Sequence, residues 1–139
     1  MIIIADDDPV FARDLQQILR LERYSDMRVV GTGAELLSLV TPSGSPEVLM
    51  LDMMLPDNAE DIDGRGPPMS IEHLGGVRVL KELVRRKFDG SRVVVITAYC
   101  HPALNEELRK LGVLDDNIHI KPAATKAIIA SVRSIYASK

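Results

Sequence analysis

Three short apolar runs do most to limit what this chain can fold into: Met1-Ile2-Ile3-Ile4-Ala5, Val48-Leu49-Met50-Leu51 and Val93-Val94-Val95-Ile96. Each is of strand length and lacks the alternating polar residues of a half-exposed strand, so each reads as a strand buried on both faces. Sheets with helices packed on both sides bury their strands in this way. Every run also stops abruptly at a polar residue: Asp6, Asp52 and Thr97 respectively.

The segments between the runs supply the helices. Asp8-Pro9 has the form of an N-cap followed by proline at the first helical position, and it starts a helix through Val10, Phe11, Leu15, Ile18, Leu19 and Leu21. Met27 to Gly31 predicts a second strand, and Ala34 to Val40 a short helix turning Leu36, Leu37 and Val40 inward. Thr41 to Pro46 is a loop by composition. A helix from Gly76 to Lys87 follows, then a turn at Asp89-Gly90 and the strand Arg92 to Thr97. Pro102 to Leu111 is a helix with Gly112 as its stop. Ile118-His119-Ile120 is a short strand, and Ala124 to Tyr136 a final helix with Ile128, Ile129, Val132 and Ile135 on one face. Alternation of five strands with five helices predicts one α/β domain over residues 1–139, with a parallel sheet, helices on both faces and right-handed crossovers.

Composition narrows the function. A chain of 139 residues buries a sufficient core without disulfides, and no apolar run approaches the length of a membrane span. The formal net charge of -3 gives no electrostatic reason to expect nucleic-acid binding. Lys81, Arg85, Arg86 and Lys87 share a helix with Glu82 and read as a solvated face. The N-terminus has no basic leader before its three aspartates, so no signal peptide is expected and the location expected is cytoplasmic. Cys100 is expected as a small, semi-buried residue. His73, His101 and His119 lack metal-like spacing and read as incidental, His119 being packed or hydrogen-bonded on its strand.

In open α/β sheets, ligands bind beyond the carboxyl ends of the strands, where the strand order reverses. The polar residues at strand ends here are Asp6 and Asp7, Asp52, Thr97 and Lys121. Three carboxylates brought together repel, and a divalent cation relieves that repulsion; an all-oxygen donor set favours Mg²⁺ over zinc. Lys121 makes sense beside such a site if an anion visits, and a phosphoryl group held between metal and ammonium is the common case. Thr97 then offers a hydroxyl donor. With no Ser, Cys or His at the centre, the nucleophile is a carboxylate able to form an acyl phosphate, and Asp52, leaving the middle strand, is best situated.

These residues, Asp6-Asp7, Asp52 with Met53-Met54-Leu55-Pro56, Thr97-Ala98 and Lys121-Pro122, occur in the same order over essentially the whole chain as in the response-regulator receiver domains of two-component signalling, which the chain resembles. The resemblance implies a flavodoxin-like sheet of order 2-1-3-4-5. It implies that Asp52 accepts a phosphoryl group, that Asp7 and Asp52 with the backbone carbonyl of Met54 bind Mg²⁺, and that Asp6 acts through metal-bound water. Thr97 and Lys121 would hold the phosphoryl oxygens. The donor would be a histidine kinase or histidine phosphotransfer protein, in a phosphorelay. The domain would be a phosphoacceptor with self-catalysed phosphorylation and dephosphorylation, not an enzyme. Its signal would pass to a downstream protein through the last two helices and the fifth strand, with homodimerisation left open and neither nucleic acid nor membrane contacted directly.

The chain departs from the family pattern in three places. Ile118 stands where an aromatic residue normally reports phosphorylation together with the threonine. The segment at about 57–74 is an insertion at the rim of the site, either a surface excursion or a lid or docking element. Met54 and Tyr99, two residues beyond Asp52 and Thr97, flank the route of water to an acyl phosphate, and their bulk predicts slow hydrolysis unless they simply cover apolar surface. Two rival readings follow: a receiver-like interaction module that does not use phosphorylation, and an Mg²⁺-dependent phosphatase. The phosphatase is disfavoured because Met54 replaces the second acid that such enzymes carry two residues after the nucleophile.

Overall fold

The apolar runs become the centre of a five-stranded parallel sheet of order β2-β1-β3-β4-β5 in the computed structural model, which describes residues 1–58 and 70–138. The strands are β1 (Ile2–Ala5), β2 (Met27–Val30), β3 (Val48–Leu51), β4 (Val93–Thr97) and β5 (Ile118–Ile120). The helices are α1 (Pro9–Leu21), α2 (Gly33–Leu39), α3 (Gly75–Arg85), α4 (Pro102–Lys110) and α5 (Thr125–Ala137). Most of the segment expected as an insertion at 57–74 lies outside the described residues; its last part forms a 3-10 turn at Ile71–His73.

Side-chain alternation along each central strand divides the core in two. Ile3, Ala5, Leu49, Leu51, Val93 and Val95 pack with Leu36 of α2, Val77, Leu80 and Leu83 of α3, and Leu104 and Leu108 of α4. Ile2, Ile4, Val48, Met50, Val94 and Ile96 pack with Ala12, Leu15 and Leu19 of α1 and Ile128, Ile129 and Val132 of α5. Every residue of β1 and β3 is buried, which is why these strands read as unbroken apolar runs.

The capping signals act as expected. Asp8 accepts hydrogen bonds from the N–H groups of Val10 and Phe11 ahead of Pro9, and Gly112 ends α4 with φ +94°. Glu82 pairs with Arg85 and Arg86, and the two guanidinium groups hold its carboxyl down at about 2. Three details differ from expectation. Val10 and Leu21, counted in the apolar pattern of α1, are 56% and 83% exposed, because eleven residues bring both to a helix face turned away from Leu15 and Leu19. Cys100 is exposed, since the chain has left β4 before reaching it. His101 is the N-cap of α4, its Nδ1 accepting from the Ala103 N–H at 3.1 Å. His119 bonds to the Ser131 hydroxyl at 2.8 Å through Nε2, as expected for a packed strand histidine, and burial lowers its pKa.

The start of α3 presses against the turn after β3. The Gly76 N–H donates to the Met53 carbonyl at 2.9 Å, and a Cβ on Gly76 would lie 2.5 Å from Met53 Cα and 2.6 Å from the Asp52 carbonyl oxygen. A Cβ on Gly75 would meet the Leu55 carbonyl oxygen at 1.7 Å. These are backbone atoms, so the glycines set how closely α3 approaches the turn that carries Asp52. Gly76→Ala should therefore cost about 1–3 kcal/mol and lower the melting temperature by roughly 5–10 °C. Gly31→Ala, whose Cβ would find nothing nearer than 3.9 Å, should be close to neutral in the same thermal melts.

Candidate functional site

The sheet reverses direction of growth at β1 and β3, because β2 lies on one side of β1 and β3 on the other. The two helices that leave these strands diverge, and the strand ends open into a crevice. Register brings the acids together there. Ala5 pairs with Leu51, so Asp6 and Asp52, the next residues, leave the sheet side by side. The Asp52 N–H extends the ladder one step, donating to the Ala5 carbonyl at 3.0 Å.

Asp6, Asp7 and Asp52 each offer a carboxylate oxygen within 4.8 Å of the others. Asp6 and Asp52 are buried, at 4% and 6% exposure, while Asp7 faces outward. At an effective dielectric of about 20, two charges this close repel by roughly 3–4 kcal/mol. Lys121 stands between the buried pair, its Nζ donating to Asp6 Oδ2 at 2.9 Å and to Asp52 Oδ2 at 3.3 Å. The remaining oxygens take main-chain donors: the Asp8 N–H at 2.9 Å on Asp6 Oδ1 and the Met54 N–H at 3.0 Å on Asp52 Oδ1.

One ammonium cannot neutralise three carboxylates. Burial raises the pKa of Asp6 despite the Lys121 bond, and that of Asp7 is raised by partial desolvation and then by the charge of Asp52. For Lys121, burial pulls the pKa down, but bonding to Asp6 and the charges of Asp52 and Asp6 together carry it above the ordinary value. An excess of negative charge on hard oxygen donors, with no His or Cys in the cluster, fits Mg²⁺.

Thr97 ends β4 fully buried, and its Oγ1 accepts from the Tyr99 N–H at 3.2 Å, which leaves the hydroxyl proton free to donate. Its carbonyl accepts from the Lys121 N–H at 2.8 Å, so the backbone that carries the hydroxyl also anchors the lysine. The Lys121-Pro122 peptide is cis. Met54 is 42% exposed, whereas Tyr99 is half-buried against the core on the α2–α4 side. All the residues expected at the site thus lie at the carboxyl edge of the sheet, and Asp6, Asp7, Asp52 and Lys121 share one cluster. Sequence reasoning missed Phe11, whose ring centroid is 4.2 Å from Lys121 Nζ. No local signal pointed to it, because the partner lies 110 residues along the chain on the segment after β5.

No family model and no curated protein matches the sequence. Solved structures do. The receiver domain of the Francisella response regulator 1452 superposes with a TM-score of 0.75 at 23% identity, covering 99% of this chain and 96% of that one. A CheY-like response regulator receiver domain protein from Methanospirillum hungatei JF-1 gives 0.74 at 20% identity, covering 99% and 93%. The N-terminal domain of a response regulator/sensory box/GGDEF 3-domain protein from Carboxydothermus hydrogenoformans gives 0.69 at 22%, covering 99% and 94%. The fold is therefore that of response-regulator receiver domains. Its strand order, the flavodoxin-like 2-1-3-4-5, agrees with the expectation from the sequence.

The raised pKa values of Asp6 and Asp7 set a sign for pH dependence. Both groups hold protons more tightly folded than unfolded, so their destabilising effect is absent below the ordinary carboxylate pKa and grows as pH rises through the raised values. In thermal melts without divalent metal, Asp7→Asn should melt above wild type at pH 7, with the gap closing towards pH 4. Mg²⁺ at about 100 times its dissociation constant should stabilise wild type by roughly 2.7 kcal/mol, and this gain should shrink in the variant.

Proposed function

We propose that this chain is a response-regulator receiver that accepts a phosphoryl group on Asp52 from a phosphohistidine of a histidine kinase or histidine phosphotransfer protein. The observation that carries the reading is the Lys121 ammonium bridging Asp6 and Asp52 in a cluster of three carboxylates at the switch point of a receiver fold. Such a cluster has a net negative charge of its own and yet holds a cation that can exchange its longer bond, to Asp52, for one to an incoming anion.

In the transfer, an Asp52 carboxylate oxygen attacks phosphorus in line with the leaving imidazole nitrogen. The P–N bond breaks, its electron pair goes to the imidazole, and an acyl phosphate forms on Asp52. Lys121 exchanges its bond to Asp52 for one to a phosphoryl oxygen, and the Thr97 hydroxyl donates to another. Asp7, Asp52 and the Met54 carbonyl would hold Mg²⁺, with Asp6 acting through metal-bound water, and the bound ion would supply positive charge against the phosphoryl oxygens. Hydrolysis returns the carboxylate when water attacks phosphorus and the P–O bond to Asp52 breaks, releasing inorganic phosphate. The domain thereby catalyses changes on itself and is a phosphoacceptor rather than an enzyme with separate substrates.

Output would leave through α4, β5 and α5. The Thr97–Lys121 main-chain bond ties the site to that edge, where Leu114 and Ile120 are 53% and 38% exposed beside a cavity of ≈ 370 Å³ lined in part by Pro102, Asn105 and Ile118. The partner proposed for that edge is a protein that covers its exposed apolar residues. The similarity to a receiver that forms one domain of a three-domain protein is compatible with service either alone or within a larger chain.

Incubation with Mg²⁺ and acetyl phosphate should yield an acid-stable, base-labile phosphoryl adduct on wild type. Asp52→Asn should take none, and Lys121→Met should label about 100-fold more slowly. An unlabelled wild type sinks the proposal in favour of a phosphorylation-independent interaction module, and rapid turnover of phosphate esters would point to a phosphatase. In a separate decay measurement on the purified phosphoprotein, Met54→Asn and Tyr99→Glu should shorten the lifetime several-fold by admitting and orienting water. Unchanged decay in both would mean that these side chains only cover apolar surface.

A further inference from the structure

We infer that Phe11 is a positioning residue for Lys121, holding the ammonium in the acidic crevice through the face of its ring; the functional consequence rests on the phosphoacceptor reading above. Lys121 Nζ has three N–H donors. Two are directed to Asp6 and Asp52 at 2.9 and 3.3 Å, and the Phe11 ring lies 4.2 Å from the nitrogen. A ring quadrupole at that distance attracts a cation, and the attraction strengthens where water is excluded. The ammonium is thus enclosed by two carboxylates and an aromatic face, and its side chain is only 21% exposed.

The ring is itself held by the site. Asp6 Oδ1 accepts the Asp8 N–H at 2.9 Å, and Asp8 Oδ1 in turn accepts the N–H groups of Val10 and Phe11 at 3.0 and 3.2 Å. Phe11 is half-buried against the core formed by α1 and α5, with Leu15 and Ile129 in the same cluster. The connections close a circuit: Asp6 to the Asp8 cap, the cap to the first turn of α1, the Phe11 ring to Lys121, and Lys121 back to Asp6. Asp8, in sequence only a helix cap, therefore also determines where the lysine sits. When Lys121 turns from Asp52 to a phosphoryl oxygen, the ring keeps its nitrogen over the same side of the crevice.

The test combines a geometric readout with a functional one. In wild-type protein, ring current from Phe11 should shift the Lys121 ε-methylene protons upfield in NMR spectra. Phe11→Leu should abolish the shift, and Phe11→Tyr should retain it. With acetyl phosphate and Mg²⁺, Phe11→Leu should slow labelling of Asp52 about three- to tenfold and Phe11→Tyr should label within twofold of wild type. In a Lys121→Met background, Phe11→Leu should have no further effect, since a residue acting through the lysine has nothing left to act on. Equal slowing by Phe11→Leu in both backgrounds, or no upfield shift in wild type, would overturn the proposal, the first result meaning that Phe11 only supports packing. Labelling of wild type and Phe11→Leu at the same rate would overturn it while leaving Asp52 as the acceptor. A wild type that shows the shift but takes no label would support the Phe11–Lys121 contact and reject the phosphoacceptor reading.

Discussion

The structure depends on one electrostatic conflict: two buried carboxylates at the ends of adjacent strands, with a third beside them. Parallel pairing of β1 with β3 forces Asp6 and Asp52 together, because each is the first residue beyond a matched pair in the ladder. A single lysine from the far end of the chain joins them and leaves the cluster negative. The fold tolerates this because an extensive apolar core stabilises it and every buried acid is hydrogen-bonded. Ile4, Leu51 and Val95 are almost wholly buried, and the main chain supplies the remaining donors to the acids. On the proposed reading the conflict is what makes the site useful, since repelling carboxylates are poised to take up a metal ion and then a phosphoryl group.

Close packing of backbone supports that arrangement from below. Gly75 and Gly76 let α3 approach the turn after β3 until no Cβ fits, which fixes the carbonyls of Asp52, Met53 and Leu55 against a rigid helix end. From the other face, α1 begins at Asp8 and brings Phe11 under Lys121. The site therefore sits between elements from both layers of the protein. Lys121 touches β4 through its main-chain bond to the Thr97 carbonyl and the first turn of α1 through the ring. At the α4–β5 edge, Ile118 is an aliphatic, half-buried side chain lining a cavity. On the proposed reading, a signal to that edge would travel by backbone and packing, since Ile118 has no ring to rotate.

Much of this was legible in the chain itself. Apolar runs without polar alternation determined that β1, β3 and β4 are central, and Asp8-Pro9 determined the start of α1, since a cap and a fixed φ are local properties. Asp6, Asp52 and Thr97 could be named because each directly follows such a run, with Asp7 next to Asp6 and Lys121 after the short strand Ile118–Ile120, and the sheet ends there whatever its order. Only tertiary structure could decide that Lys121 divides its bonds between Asp6 and Asp52, that Phe11 lies beneath it, and that Val10, Leu21 and Cys100 are exposed. Those facts depend on distances between residues up to 115 positions apart and on which helix face meets the sheet. Hydrophobic periodicity records that a helix has an apolar side, but not which single ring on it will meet a charge arriving from another strand.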